Sequence, residues 1–442
     1  MNLLAYSRYQ WADAKSKNIM KTIKFTCLAL LISTLTGARG EPFRTDINPA
    51  LLYYQAFLMA PKTMSDADWD YLGSKAGREQ KLPERFGPIL AGYDNEFNLV
   101  REAAQQKVPC DWGIDLSPGP ATPLPHLALV KAVAVASRPR VMWDLQHGDQ
   151  IGARDDLLAA FVLGRNASRD GTLIGALVQQ AVEALECATV AGNFGQFSPE
   201  TLKQLVDGFD AAPARGTVAA AMMTEKLLGP DWLADKIRKL QRENPGNDTK
   251  VMEGIHTDFE RCGFDFEFHG ERGEKQDTNV WQRIVIASGG TSDGLLKLVS
   301  DMDPLYPRLA RIMTLPLSES EDQMQKFDAE IRKSQNPLVP VLFPNPVQGP
   351  QRREFRSQAW LAMMRAAVEY KLHGEFGLKS VMDPFGNGPF AFQRFVFEGV
   401  DRGFELKSAY TGLGLPCALI FVEKEGPPFY GDGPHIGQAV QP

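Results

Sequence analysis

Between His256 and His269 stands the densest set of potential metal ligands in the chain: His256, Cys262, Asp265, Glu267 and His269. Imidazole, thiolate and carboxylate are the groups that hold Zn²⁺, and a zinc ion with an open coordination position activates water for hydrolysis. The run Phe264-Asp265-Phe266-Glu267-Phe268-His269 alternates apolar with polar residues. That alternation predicts a strand with Asp265, Glu267 and His269 on one face, neighbours about 7 Å apart. The spacing matches no standard zinc pattern, and the polar face of an exposed strand has the same composition. The solvated face is the preferred reading. The alternative is a divalent metal at this cluster, serving a metal-dependent or other hydrolase that uses residues 256–271.

Other catalytic signatures are missing, a Gly-x-Ser-x-Gly elbow among them. The chain has no His-Glu-x-x-His sequence, and Gly270-Glu271-Arg272-Gly273-Glu274-Lys275 lacks the spacing and the Ser/Thr ending of a P-loop. Of the six histidines, His126 follows Pro125 at a helix start and His373 precedes Gly374 at a helix end. Both have structural reasons to stand there, since a cationic imidazole at a helix C-terminus favours the dipole. No cofactor is expected.

The elements that would position such groups are mostly helical. Lys21 and Lys24 precede an apolar run from Phe25 to Leu35, with Ala38 and Gly40 following. This is the pattern of a secretory signal peptide spanning residues 1–40, with Met20 as a natural start and cleavage after Gly40. The run is too short to span a bilayer, and no transmembrane helix is expected in the mature chain. The location that follows is periplasmic or extracellular. Cleavage leaves Cys110, Cys187, Cys262 and Cys417, which allow three pairings, so the disulfide pattern stays open. Cys187 sits in an apolar helical context, where a buried free thiol is at least as natural as a bridge.

Helix starts are marked at Asn48-Pro49, at Ser65 with Asp68, and at Ser198-Pro199. Residues 138–190 predict a helical hairpin broken at His147-Gly148-Asp149 and at Asn166–Gly171. Gly148, Ala160 and Ala167 fall at the spacing of the small residues of a tetratricopeptide repeat, with Ile151 where its aromatic stands. No second copy follows at a period of 34, so a generic hairpin is preferred to a repeat groove. Trp143, Phe161 and Leu177 are assigned to the core. Helices are expected at Ala211–Leu228 and Asp231–Leu240 with a Gly-Pro break between them, and an irregular insert near 241–278. Arg352–His373 carries Phe355, Ala359, Met363, Ala366 and Tyr370 on one face. Pro389–Phe397, Gly403–Tyr410 and Pro416–Val422 then predict three strands of an antiparallel meander.

Two resemblances bear on these segments. The run Tyr370-Lys371-Leu372-His373-Gly374-Glu375-Phe376, the turn Asp383-Pro384-Phe385-Gly386-Asn387 and the strand Gly403-Phe404-Glu405-Leu406 resemble the globular part of type II secretion pseudopilins. The resemblance implies a helix packed on a three-stranded sheet. Across nearly the whole mature chain the sequence also resembles a group of uncharacterised exported bacterial helical proteins. The shared features are Cys110-Asp111-Trp112-Gly113, Pro125-His126-Leu127, His147-Gly148-Asp149, Arg169–Ile174, Asn336-Pro337-Leu338, Gly374 and Asp383-Pro384. That likeness implies one continuous architecture and brings no activity with it.

The chain carries 48 basic and 54 acidic residues; without residues 1–40 the balance is 42 against 53, a net charge of −11. A surface of that sign repels a phosphate backbone, so nucleic acid is not an expected partner. The expectation is a mainly α protein. An irregular, TPR-like helical-hairpin body spans 41–350, a small α+β module spans 351–424 and a loose tail spans 425–442. The function expected is non-enzymatic binding or scaffolding in the cell envelope, with a protein or peptide partner.

Overall fold

Regular structure begins where a side chain replaces the missing helical acceptor. Asn48 accepts from the Ala50 N–H and opens α1 (Pro49–Met59), with Pro49 in the first turn, where its absent N–H costs nothing. Ser65 and Asp68 form a reciprocal capping box at the start of α2 (Asp66–Gly73). The short α3 (Phe86–Ala91) and α4 (Asp94–Ala104) follow. In this computed structural model of the chain the described residues are 46–62, 64–74, 77, 81–263, 280–343, 348–412 and 415–426. Residues 1–40, expected to be a signal peptide, and the alternating run 264–269 lie outside them.

Three long helices come next: α5 (Pro125–Gln146), α6 (Gln150–Ala167) and α7 (Leu173–Gly192). The turns fall where the sequence put them, closed by the Asp149 and Thr172 caps. The first helix is longer than the hairpin reading required, because α5 runs unbroken through Pro139. A proline there removes the N–H that would serve the Val135 carbonyl, which is tolerable because Val135 lies 48% exposed. At the crossing of α6 and α7 the residue is Gly164; a Cβ there would lie 2.6 Å from Val182 Cγ1. Ile151 is 63% exposed and does not fill the role of a repeat's aromatic.

Ser198 caps α8 (Pro199–Ala211), and Thr217 caps α9 (Val218–Lys226). Here the expected boundaries are corrected twice. Residues 212–217 form a loop rather than the start of a helix, since Pro213 and Gly216 interrupt it. The Gly229-Pro230 pair does not break the chain either. It sits in a π-helical turn, Leu227–Asp231, that passes directly into α10 (Trp232–Glu243). A π turn widens the helix locally and so accommodates a proline that an α turn would reject. Much of the expected irregular insert is also helical, as α11 (Asp248–Arg261). Then come α12 (Val280–Ala287), α13 (Ser292–Ser300), α14 (Leu305–Met313), α15 (Leu317–Arg332) and the single turn α16 (Val339–Leu342).

The last helix, α17 (Gln348–Ser380), is interrupted at Gly374, whose φ of 62° leaves the helical region. Asp383 then builds the connection to the sheet, accepting from Phe385 N–H, Ser408 Oγ and Ala409 N–H at 3.0, 2.8 and 2.6 Å. Strands β1 (Ala391–Phe397), β2 (Val400–Gly412) and β3 (Leu415–Val422) form an antiparallel meander in that order. The fold is mainly helical with a small C-terminal sheet.

Apolar side chains gather in two main cores. One holds Phe161, Phe194 and Leu205 of the hairpin region together with Met363, Phe404 and Phe421 of the module. The core therefore crosses residue 350, and the module shares its interior with the hairpin. The other core holds Met222, Phe259, Tyr306 and Phe327, all between residues 218 and 343.

Candidate functional site

Three helices each present one stripe of residues to a common groove. From α7 come Leu177, Gln180, Ala181, Ala184 and Leu185, spaced so that all lie on one helical face. One wall is Lys131, Ala134 and Val135 of α5; the other is Arg353, Arg356, Ser357 and Trp360 of α17. Both walls pack on α7, and the space between them measures about 430 Å³. That falls within the usual range for small-ligand sites, which are mostly apolar with a few placed polar groups. Leu177, assigned to the core from sequence, is only half-buried and forms part of this floor. Phe161 is fully buried as expected, and Trp143 packs at the edge of a smaller cluster with Phe86.

The groove's polar groups differ in what holds them. The Gln180 carboxamide is 97% buried, and neither its oxygen nor its nitrogen has a hydrogen-bond partner among the described residues. Lys131, Arg353 and Arg356 are exposed on the rim, and no carboxylate of the described residues forms an ion pair with them. The acids nearest in sequence are engaged elsewhere. Glu354 accepts from the Val218 N–H at 2.9 Å. Glu183 lies 2.7 Å from Arg165 Nε and also meets Arg215 and the Ser357 hydroxyl.

Behind the floor this second layer is charged and paired within itself. Glu183 is fully buried between two arginines, and Asp156 repeats the arrangement, accepting from Arg101 Nε and Arg140 Nε at 2.7 Å each. Arg140 also donates to Asp94 and to the Leu90 carbonyl, which fixes α4 and α5 against α6. Gln179 and Ser168 hold the 212–217 loop, both accepting from Gly216 N–H. Glu186, fully buried on α7, is pushed up to about 8 by burial. Its neighbour Ser137 Oγ lies 2.8 Å from both Glu186 Oε1 and the Ala134 carbonyl. One hydroxyl proton cannot serve two acceptors; a protonated Glu186 donates to Ser137 and frees that proton for Ala134.

Of the five candidate metal ligands, the described residues include two. His256 lies on α11, tilted against the Trp281 ring at 4.8 Å and 3.8 Å from Glu260. Cys262 is the cap that ends the same helix, its thiol raised by burial and then by Asp258. Asp265, Glu267 and His269 lie outside the described residues. Among the described residues no group of three or more His, Cys, Asp or Glu is placed to hold a metal. Cys110, Cys187, Cys262 and Cys417 are free thiols, with Cys187 fully within the core.

A Gly-x-Ser-x-Gly spacing that sequence reasoning missed stands at Gly290–Gly294. It joins two helices and does not form the strand-to-helix elbow of a hydrolase. Ser292 Oγ donates to Asp248 Oδ1 at 2.6 Å and accepts from Gln241 Nε2, so it ties α11 to α13. His126 is buried beneath the Trp112 ring, with Nε2 at 3.3 Å from Asp170. Trp112 in turn donates to the Asn166 carbonyl, and Asn166 to Tyr53. Trp112, His126 and Asn166 thus tie the 110–113 segment and the 168–172 turn to α1, α5 and α6.

Comparison of the chain with protein-family models, with curated proteins and with solved structures finds no match. The reading of the site therefore stands on its geometry. One further property of α7 belongs with it. By length and composition it is the one helix among the described residues able to cross a membrane, and 61% of it is buried within the body.

The groove itself was not foreseen. Its walls come from positions more than two hundred residues apart, so no local pattern joins them. The signal nearest to it was on α7, where an apolar stripe of Leu177, Ala181, Ala184 and Leu185 runs beside the polar stripe Gln179, Gln180, Glu183 and Glu186. A helix that buries its polar stripe and leaves the apolar one half-covered must meet polar partners on the buried side.

Proposed function

We propose that this chain is an exported, non-catalytic binding protein of the cell envelope, and that its helical body receives a partner in the groove of α5, α7 and α17. The observation that carries the reading is the unpartnered, buried Gln180 carboxamide set in an otherwise apolar floor. Leaving such a group unsatisfied costs about 1–3 kcal/mol, a cost that a bound partner would relieve. The charged residues behind the floor are occupied with one another, so the groove offers recognition groups and no free nucleophile–base pair. The helix-and-meander module, proposed as pseudopilin-like in architecture, supports the α17 wall from behind.

A photoreactive residue at Val135, on the groove wall, would test this in envelope preparations, with the same residue at exposed Leu58 as the reference. A discrete adduct from Val135 and none from Leu58 is expected. Equal labelling at both positions, or no adduct together with turnover of a substrate, would sink the reading.

A further inference from the structure

We infer that the groove's occupant is a small single-chain anionic amphiphile: an apolar chain of medium length ending in a carboxylate. This rests on the binding reading above and narrows it to a ligand class.

The dimensions come first. From Leu177 to Leu185 the floor rises about 12 Å at 1.5 Å per residue, and the cavity holds about 430 Å³. A docking helix, about 10–12 Å across with its side chains, would need far more than that volume. An extended chain of roughly nine carbons, with bonds of about 1.5 Å, spans this floor.

Charge decides the head group. On a chain that is net acidic, Lys131, Arg353 and Arg356 share the rim of one cavity and form no ion pair among the described residues. Glu183 is held by Arg165, Arg215 and Ser357, and Glu354 by Val218, so neither neutralises the rim. Arg353 and Arg356, three residues apart on α17, stand on one helix face. A guanidinium there takes a carboxylate in bidentate fashion, while Lys131 adds a point charge from the opposite wall. The Gln180 amide, unpartnered inside the floor, can donate to a head-group oxygen or to a polar atom along the chain. A free carboxylate is favoured over a bilayer because three cations in a concavity fit one head group. An acidic protein surface around them is repelled by an anionic membrane.

The test uses the full chain and isothermal titration with decanoate, with its neutral methyl ester and with phosphatidylglycerol vesicles. Decanoate is expected to bind with one-to-one stoichiometry, more weakly as salt rises, and at least tenfold more tightly than the ester. Replacing both rim arginines (Arg353→Gln with Arg356→Gln) should weaken decanoate about tenfold or more and leave the ester unchanged. Equal affinity for acid and ester overturns the inference, as does binding to vesicles alone, or indifference to the double substitution. If decanoate fails while Val135 still labels a partner, the ligand class falls and the binding reading survives. If both fail, both fall.

Discussion

In the core that joins the hairpin to the sheet, carboxylates lie at zero exposure between arginines: Asp156 with Arg101 and Arg140, Glu183 with Arg165 and Arg215. In the core spanning 218–343 the buried polar side chains among the described residues are Ser288, Ser292 and Ser320. Lys326–Asp322 and Arg308–Glu330 of this region stand at the surface, and Lys226 pairs with Asp231 and Asp303 at its edge. Hydrocarbon burial dominates the packing of the second region. The first spends desolvation on ions, and a buried ion pair is a weak source of stability because that penalty can exceed the attraction. What the buried pairs do is fix geometry. Glu183 and Gln179 hold the 212–217 loop on which the second core hangs, and Asp156 locks three helices in register. The groove lies on the ion-bearing side, over the helix that carries Glu183.

The comparison breaks most directly at its strongest pair. Glu183→Ala removes the carboxylate that two buried arginines share, and leaving such charges uncompensated costs about 3–5 kcal/mol. Asp322→Ala, in an exposed i,i+4 pair on α15, is expected to cost below about 0.5 kcal/mol. Urea unfolding of the two variants measures both. If the costs came out alike, the two cores would not differ in kind.

The second effect is one of pH. Burial raises the Glu186 carboxyl to about 8 from its usual 4.5. Between those values the folded chain holds a proton that the unfolded chain has released. Stability from this group is therefore full below about pH 4.5, falls as pH rises through the window, and is flat above 8. Glu186→Gln, whose amide can still donate to Ser137, should match the parent at pH 5. At pH 9 it should exceed the parent by several kcal/mol, at most about 5 at 1.4 kcal/mol per tenfold in proton affinity. Denaturant midpoints across pH would show it, and a gap independent of pH would mean that Glu186 does not titrate with folding.

Legibility in the sequence followed the range of each interaction. Asn48, Ser65 and Ser198 cap helices within three residues of themselves, so their helices were readable. The meander was readable because period-two runs and glycine turns are local as well. Gly229-Pro230 was misread because the π turn that tolerates the proline is set by packing on both sides. Leu177 was misread for a related reason: apolar spacing identifies a helix face but not whether another element covers it. The groove's two arginines and its lysine are invisible as a set, since only the docking of α5 and α17 on α7 brings them together.

The smallest effect bears most on the groove. Gln180 belongs to the ion-bearing core by position, yet unlike Glu183 or Gln179 it satisfies no group of the fold. Gln180→Leu keeps the volume near constant and removes two buried polar atoms without partners. Replacing an unsatisfied group by an apolar one of similar shape is nearly neutral or stabilising, so a gain of about 0.5–1 kcal/mol is expected in the ligand-free protein. Affinity for decanoate should fall together with that gain, which is the trade expected of a residue kept for function at some cost to stability. A loss of 1 kcal/mol or more would show instead that the carboxamide holds the fold together. Gln180 would then join Glu183 among the buried polar groups that fix geometry, and the contrast between a layer of ion pairs and a groove left open above it would disappear.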